Sequence, residues 1–177
     1  MTGQDLGGLT LPPGVYFFSS SAQLTGTLIL DAQNDPNAQF VFQIGSTLTT
    51  AGASAVNVIN GGANNSLIWQ VGSSATLGTT TLFAGNIIAL TSISLLTGAE
   101  ILCGRAIARN GAVTMDANII SNNCTTQVFS GREDFGSSGF SGGTPGGGNG
   151  TVPEPATLLL LGSGLAGIAA WRRKQAA

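Results

Sequence analysis

The sequence predicts an all-β domain of stacked coils, then a disordered Gly/Ser linker and a C-terminal helix that spans a membrane. Three observations carry this. Short apolar segments alternate with Ser or Thr, and Gly, Asn or Asp interrupts them every few residues, the pattern of short strands. Val41-Phe42-Gln43-Ile44-Gly45-Ser46-Thr47-Leu48-Thr49 recurs as Ile68-Trp69-Gln70-Val71-Gly72-Ser73-Ser74-Ala75-Thr76. Self-similarity with a period of about 20 residues points to coils that each bury an apolar face against the next. The third observation is the tail, an uncharged run from Ala156 to Trp171 closed by Arg172-Arg173-Lys174.

The coils occupy residues 1–129, and further copies of the pattern begin at Ser92-Ile93-Ser94-Leu95 and Ala112-Val113-Thr114-Met115. No segment before the tail has a helical period; a two-sheet sandwich is the alternative architecture. Aligning the copies gives a register, because side chains alternate along a strand. Ala22 and Leu24, Leu48 and Thr50, Ala75 and Leu77, Ile93 and Leu95, and Val113 and Met115 face inward. The outward partners are Ser21 and Gln23, Thr47 and Thr49, Ser74 and Thr76, Ser92 and Ser94, and Ala112 and Thr114. Stacking sets them in two files with rungs about 4.8 Å apart and partners about 6.8 Å apart along the strand. That makes a flat, uncharged array of hydroxyls and methyls. Ser and Thr also simply suit exposed β positions, and spacing alone does not separate the two readings.

Residues 130–151 are rich in Gly and Ser and read as a flexible linker, with Arg132-Glu133-Asp134 as solvated charges. Residues 152–177 begin with Val152-Pro153-Glu154-Pro155 and continue into the apolar run, where a transmembrane helix is expected at about 156–171. A buried helix of a soluble protein would carry a polar face, and only Thr157 and Ser163 are polar here. The basic end stays on the cytoplasmic side, so the residues ahead of it are exported. Export needs a signal peptide, which Met1-Thr2-Gly3-Gln4-Asp5 does not resemble. The expectation is a chain whose N-terminal part lies upstream of Met1.

Charged residues make up 8% of the chain, against about 25% in ordinary globular proteins. Before the tail, three arginines face seven acids, leaving −4. That balance argues against nucleic acid as a partner. With no His in the chain, neither a Ser-His triad nor a zinc site is expected. Asp31 and Asp35 flank a turn, and Glu100 and Asp116 stand alone, so the clustered carboxylates of a solenoid lyase or hydrolase are missing. The expectation is a protein that is not an enzyme and carries no cofactor or metal. Cys103 and Cys124 lie about one coil apart, and an exported chain meets an oxidising compartment. A disulfide between coils and two free buried thiols both stay open.

Two resemblances add to this. Val152-Pro153-Glu154-Pro155, the short apolar run and Arg172-Arg173-Lys174 resemble the PEP-CTERM sorting signal. The resemblance implies recognition by a membrane protease of the exosortase type and a transient anchor, placing the protein in the cell envelope or outside the cell. The second resemblance rests on Pro13-Gly14-Val15-Tyr16, Ser20-Ser21-Ala22-Gln23-Leu24, Asp35-Pro36-Asn37-Ala38, Phe42-Gln43-Ile44-Gly45-Ser46, Trp69-Gln70-Val71-Gly72-Ser73, Ala89-Leu90-Thr91-Ser92-Ile93, Gly104-Arg105-Ala106 and Asn110-Gly111-Ala112-Val113-Thr114. In that order they resemble the bacterial ice-binding-like (DUF3494) domain. It implies an irregular right-handed β-helix with a long helix along its side, and non-catalytic, antifreeze-like adsorption to ice and ordered water through a flat face. The two files are the candidate face, although they are mixed Ser/Thr/Gln/Ala rather than a strict Thr repeat. Phe83 and Leu102 are expected to point outward, toward the family's helix. The alternative function is a surface or biofilm-matrix adhesion protein that binds polysaccharide. Sugar platforms usually use exposed aromatics, and the domain holds only Trp69 and Tyr16 of the Trp/Tyr class.

Overall fold

The computed structural model describes residues 1–62 and 65–122. The linker at 130–151, the tail with its expected helix at about 156–171, and Cys124 lie outside the described residues. Among the described residues, no helix is long and apolar enough to cross a membrane.

A short strand, β1 (Thr10–Leu11), precedes five coils. The first coil comprises β2 (Gly14–Phe18), β3 (Ala22–Leu24) and β4 (Thr27–Asp31). The second comprises β5 (Gln39–Ile44), β6 (Leu48–Thr50) and β7 (Ala55–Ile59). The third runs through β8 (Ser66–Val71) and β9 (Ala75–Leu77) into β10 (Leu82–Ala89). The fourth takes the second half of β10, β11 (Ile93–Leu95) and the first half of β12 (Glu100–Ala108). The fifth takes the rest of β12, β13 (Val113–Thr114) and β14 (Ile119–Ser121). Every ladder between these strands is parallel. The strands β3, β6, β9, β11 and β13 form a five-stranded sheet, and the rest a nine-stranded sheet that supplies the other two sides. A sandwich is built from antiparallel sheets, so that alternative does not apply.

Inside the coils, equivalent residues stack in rows. Tyr16, Phe42 and Trp69 are register partners in β2, β5 and β8, and Phe83 joins from β10. Phe42 and Trp69 stack at 4.0 Å between centroids with planes 11° apart, and Trp69 meets Phe83 at 4.9 Å. The indole Nε1–H of Trp69 donates to the Ala84 carbonyl at 3.0 Å, so the largest buried side chain leaves no orphan donor. Leu28, Leu30, Leu48, Leu67, Leu77 and Ile101 belong to the same buried core.

The coil length changes along the chain. Tyr16 to Phe42 is 26 residues and Phe42 to Trp69 is 27, but Trp69 to Ile87 is 18 and Ile87 to Ala106 is 19. The uniform period of about 20 is therefore corrected. In coil one a loop at 32–38 joins the third side to the next coil, and at the same corner of coil two β7 and β8 are again separate strands. In coils three and four a single long strand rounds that corner, and the β10–β12 register shifts at Ala84/Gly85. A Cβ on Gly104 would lie 1.9 Å from the Gly85 carbonyl oxygen, so only glycine permits this close stacking of bends.

Two orientations are also corrected. Phe83 is 1% exposed and belongs to the core. Thr81 turns inward at the corner to bond Thr50, so Leu82 faces out and Phe83 in. Leu102, read with it, is half-buried. Met115 is 52% exposed rather than inward. β13 ends its sheet, and no strand among the described residues stacks on its far side, so Val113 beside it is only half-buried.

Truncating Trp69 removes its ring contacts with Phe42 on the preceding coil and with Phe83 across its own coil. Trp69→Ala is expected to lower unfolding stability by about 3–5 kcal/mol, measured by denaturant titration.

Candidate functional site

The outer face of the five-stranded sheet carries both expected files. Gln23, Thr49, Thr76, Ser94 and Thr114 are register partners along one continuous row. Ser21, Thr47, Ser74, Ser92 and Ala112 sit one residue before the strands. Their row is laddered too, because Ala22, Leu48, Ala75 and Ile93 donate their N–H groups to the carbonyls of Thr47, Ser74, Ser92 and Ala112 at 2.9–3.1 Å. All ten side chains are exposed or half-buried, and Ala22, Leu24, Leu48, Thr50, Ala75, Leu77, Ile93 and Leu95 between them are buried. Within the array, Thr47 Oγ1 donates to Ser21 Oγ at 2.8 Å and Thr114 Oγ1 to Ser94 Oγ at 3.1 Å.

The rigidity of the face comes from what lies beneath it and at its edges. At the corner after the sheet, each coil turns through one residue in the left-handed region: Gly26, Ala53, Thr80, Gly98 and Ala117, with φ from 52° to 89°. Three of these N–H groups bond the next coil, Ala53 to the Thr79 carbonyl, Thr80 to that of Thr97 and Gly98 to that of Asp116. For Ala53, Thr80 and Ala117 this conformation carries a cost of about 1–2 kcal/mol each, which the repeated ladder offsets. Just inside, Thr50 and Thr81 share a buried hydroxyl bond of 2.8 Å, and Thr50 Oγ1 accepts from the Gly78 N–H. Ser54 closes the same corner by donating to the Leu24 carbonyl.

Asp5, Asp31, Asp35 and Asp116 each accept hydrogen bonds from neighbouring groups. Asp31 Oδ1 accepts from the Gln33 N–H and the Asn60 side-chain amide, and Asp35 Oδ1 from the Asn37 N–H. Asp5 bridges to Gln23 at the head of one file, where Oδ1 accepts from the N–H groups of Gly7 and Thr25. Partial burial pushes its pKa up, but those bonds outweigh the burial and hold the carboxyl below the ordinary value. Asp116 accepts from the Thr97 hydroxyl. No group of three or more His, Cys, Asp or Glu that could hold a metal occurs among the described residues. Cys103 is buried and disulfide-bonded; Cys124, the other cysteine of the chain, lies outside the described residues.

Two features escaped the sequence reading. The buried Thr81 partner of Thr50 was invisible because a Thr beside an apolar run looks like any strand residue. The hydroxyl row Ser20, Ser46, Ser73 and Thr91, at the corner before the sheet, was passed over because it follows glycine or loop positions rather than strand alternation.

Two adjacent threonines separate inside from outside. Thr50→Val is expected to cost about 1–3 kcal/mol by stranding Gly78 N–H and a Thr81 lone pair, whereas Thr49→Val stays within about 0.5 kcal/mol, read by thermal melts. The Asn60 amide and the Gln33 N–H hold Asp31 below its ordinary pKa of 3.8. Its contribution is therefore fully present above about pH 4 and is lost as pH falls through the lower folded value. Asp31→Asn is expected to flatten that acid limb in a stability–pH series.

The described domain matches the ice-binding-like family model over residues 1–121, and residues 151–174 match the PEP-CTERM protein-sorting motif. An ice-binding protein of Nostoc sp. (strain HG1) is 57% identical over 95% of this chain and 56% of its own length. Ice-binding protein 1 of Shewanella frigidimarina is 39% identical over 66% of this chain and 13% of its own. Among solved structures, an ice binding protein from an Antarctic biological consortium superposes with a TM-score of 0.64 at 49% identity, covering 68% of this chain and 55% of that one. This chain thus spans little more than half of the Nostoc relative and a small part of the Shewanella one. With family model, relatives and superposition in agreement over the stacked coils, the chain belongs to the ice-binding-like family.

Proposed function

We propose that the protein adsorbs to ice through the outer face of the five-stranded sheet and so restrains crystal growth or recrystallisation, without catalysis. The observation that carries this is the register: two files of small side chains, uncharged in every rung, held on five consecutive coils by unbroken backbone ladders. Methyls on such an array order neighbouring water and hydroxyls fix it in place. A rigid lattice loses little conformational entropy on adsorption, which is the cost that weakens flexible surfaces. The fold we assign is the irregular right-handed β-helix of the family. Adhesion to polysaccharide fits less well, because Trp69 is fully buried and Tyr16 stacks on Phe42. Phe17, the exposed aromatic among the described residues, lies on β2, outside this sheet.

The tail supplies the route to the outside. We assign residues 130–151 as the linker and 152–177 as the sorting segment, whose helix at about 156–171 holds the protein in the membrane until an exosortase-type protease acts near Pro153-Glu154-Pro155.

Ice recrystallisation inhibition by the full-length protein tests the reading, with Thr49→Tyr and Thr76→Tyr beside wild type. Activity in wild type that is lost in both variants, with circular dichroism unchanged, is the expected result. A folded wild type without activity would sink it.

A further inference from the structure

We infer that the water-ordering surface does not stop at the two files but continues round the corner as a third, formed by Ser20, Ser46, Ser73 and Thr91. The inference rests on the ice-adsorption reading and extends its site to a second, inclined facet.

Each of the four residues immediately precedes a member of the first file, at the bend between the β2/β5/β8 side and the five-stranded sheet. Their spacing is set by the backbone rather than by chance of sequence. The Ser46 N–H donates to the Ser20 carbonyl at 3.2 Å, the Ser73 N–H to that of Ser46 at 2.9 Å and the Thr91 N–H to that of Ser73 at 2.9 Å. The ladder therefore runs through the corner without a gap, and the third file has the same rung spacing as the sheet. All four side chains are exposed or half-buried. The glycines just before Ser46 and Ser73 keep the bend tight: a Cβ on Gly45 would lie 2.7 Å from the Ser19 carbonyl oxygen, and one on Gly72 2.5 Å from that of Gly45. A tight bend with a fixed repeat turns the edge into a narrow facet of ordered hydroxyls rather than a loose loop. The file ends in coil five, where Gly111 stands immediately before Ala112 and carries no hydroxyl; a Cβ on it would lie 2.9 Å from the Thr91 carbonyl oxygen.

An array with two inclined facets on one lattice spacing meets ice along two directions at once. The third file then contributes to adsorption independently of Thr49 and Thr76. The test compares Ser46→Ala/Ser73→Ala, which removes two hydroxyls and adds no bulk, and Ser73→Tyr with Thr76→Tyr as positive control. Asn57→Tyr, exposed on β7 of another side, is the negative control. All are assayed in the full-length protein by recrystallisation inhibition on polycrystalline ice, with melts to confirm folding. A roughly fivefold loss per hydroxyl, the size of one net hydrogen bond, and a comparable or larger loss in Ser73→Tyr are expected. Wild-type activity in both Ser46→Ala/Ser73→Ala and Ser73→Tyr, while Thr76→Tyr is inactive, would overturn the third file and leave the two-file face standing. A folded but inactive wild type would overturn both.

Discussion

Each coil is tied to the next by parallel backbone hydrogen bonds at the strand spacing of about 4.8 Å, and every other feature inherits that spacing. Tyr16, Phe42 and Trp69 stack because these equivalent residues fall one rung apart, and Phe83 closes on Trp69 from across the coil. The outer files form for the same reason. Parallel pairing between successive strands normally demands a long crossover; among the described residues the rest of each coil is the crossover, with no helix between the strands. The corner residues at positive φ, Ala53, Thr80 and Ala117 among them, are strained one by one. They persist because the neighbouring coils set the same turn at the same place.

The near absence of charge follows from that regularity. Stacked identical positions would place like charges about one rung apart, where they repel. Asp31 at the end of β4, Asp35 in the loop that follows and Asp5 at the head of a file each accept from backbone N–H groups. The two outer files are accordingly built of Ser, Thr, Ala and one Gln.

Much of this was legible in the sequence, for a physical reason. Strand alternation has a strict period of two, so once the Val41–Thr49 and Ile68–Thr76 copies were aligned, the inward and outward sets followed, and Ala22 through Leu95 fell on the expected sides. The misreadings cluster where alternation breaks. Thr81 turns inward to satisfy Thr50, which moves Phe83 into the core. Met115 is exposed because no strand among the described residues stacks on the far side of β13, which no local pattern encodes. The change from 26- and 27-residue coils to 18- and 19-residue ones depends on whether a loop or a glycine bend turns the third corner. Gly85 and Gly104 read in sequence as ordinary punctuation.

The loop at residues 32–38 sits at that third corner, on the opposite side of the coil from the five-stranded sheet. Its turn is closed by its own backbone, Ala32 accepting from the Asp35 N–H and Asp35 from that of Ala38, and is tied to the next coil by the Asn65 amide, which donates to the Asp35 carbonyl at 2.9 Å. Chain length can therefore vary at this corner without moving a rung of the face, as coils three and four, which dispense with such a loop, already illustrate. For an engineer, the exposed residues between Gln33 and Asn37 are a handle at the back of the molecule. A dye, an affinity peptide or a surface linker attached there would leave the hydroxyl lattice pointing away from its support.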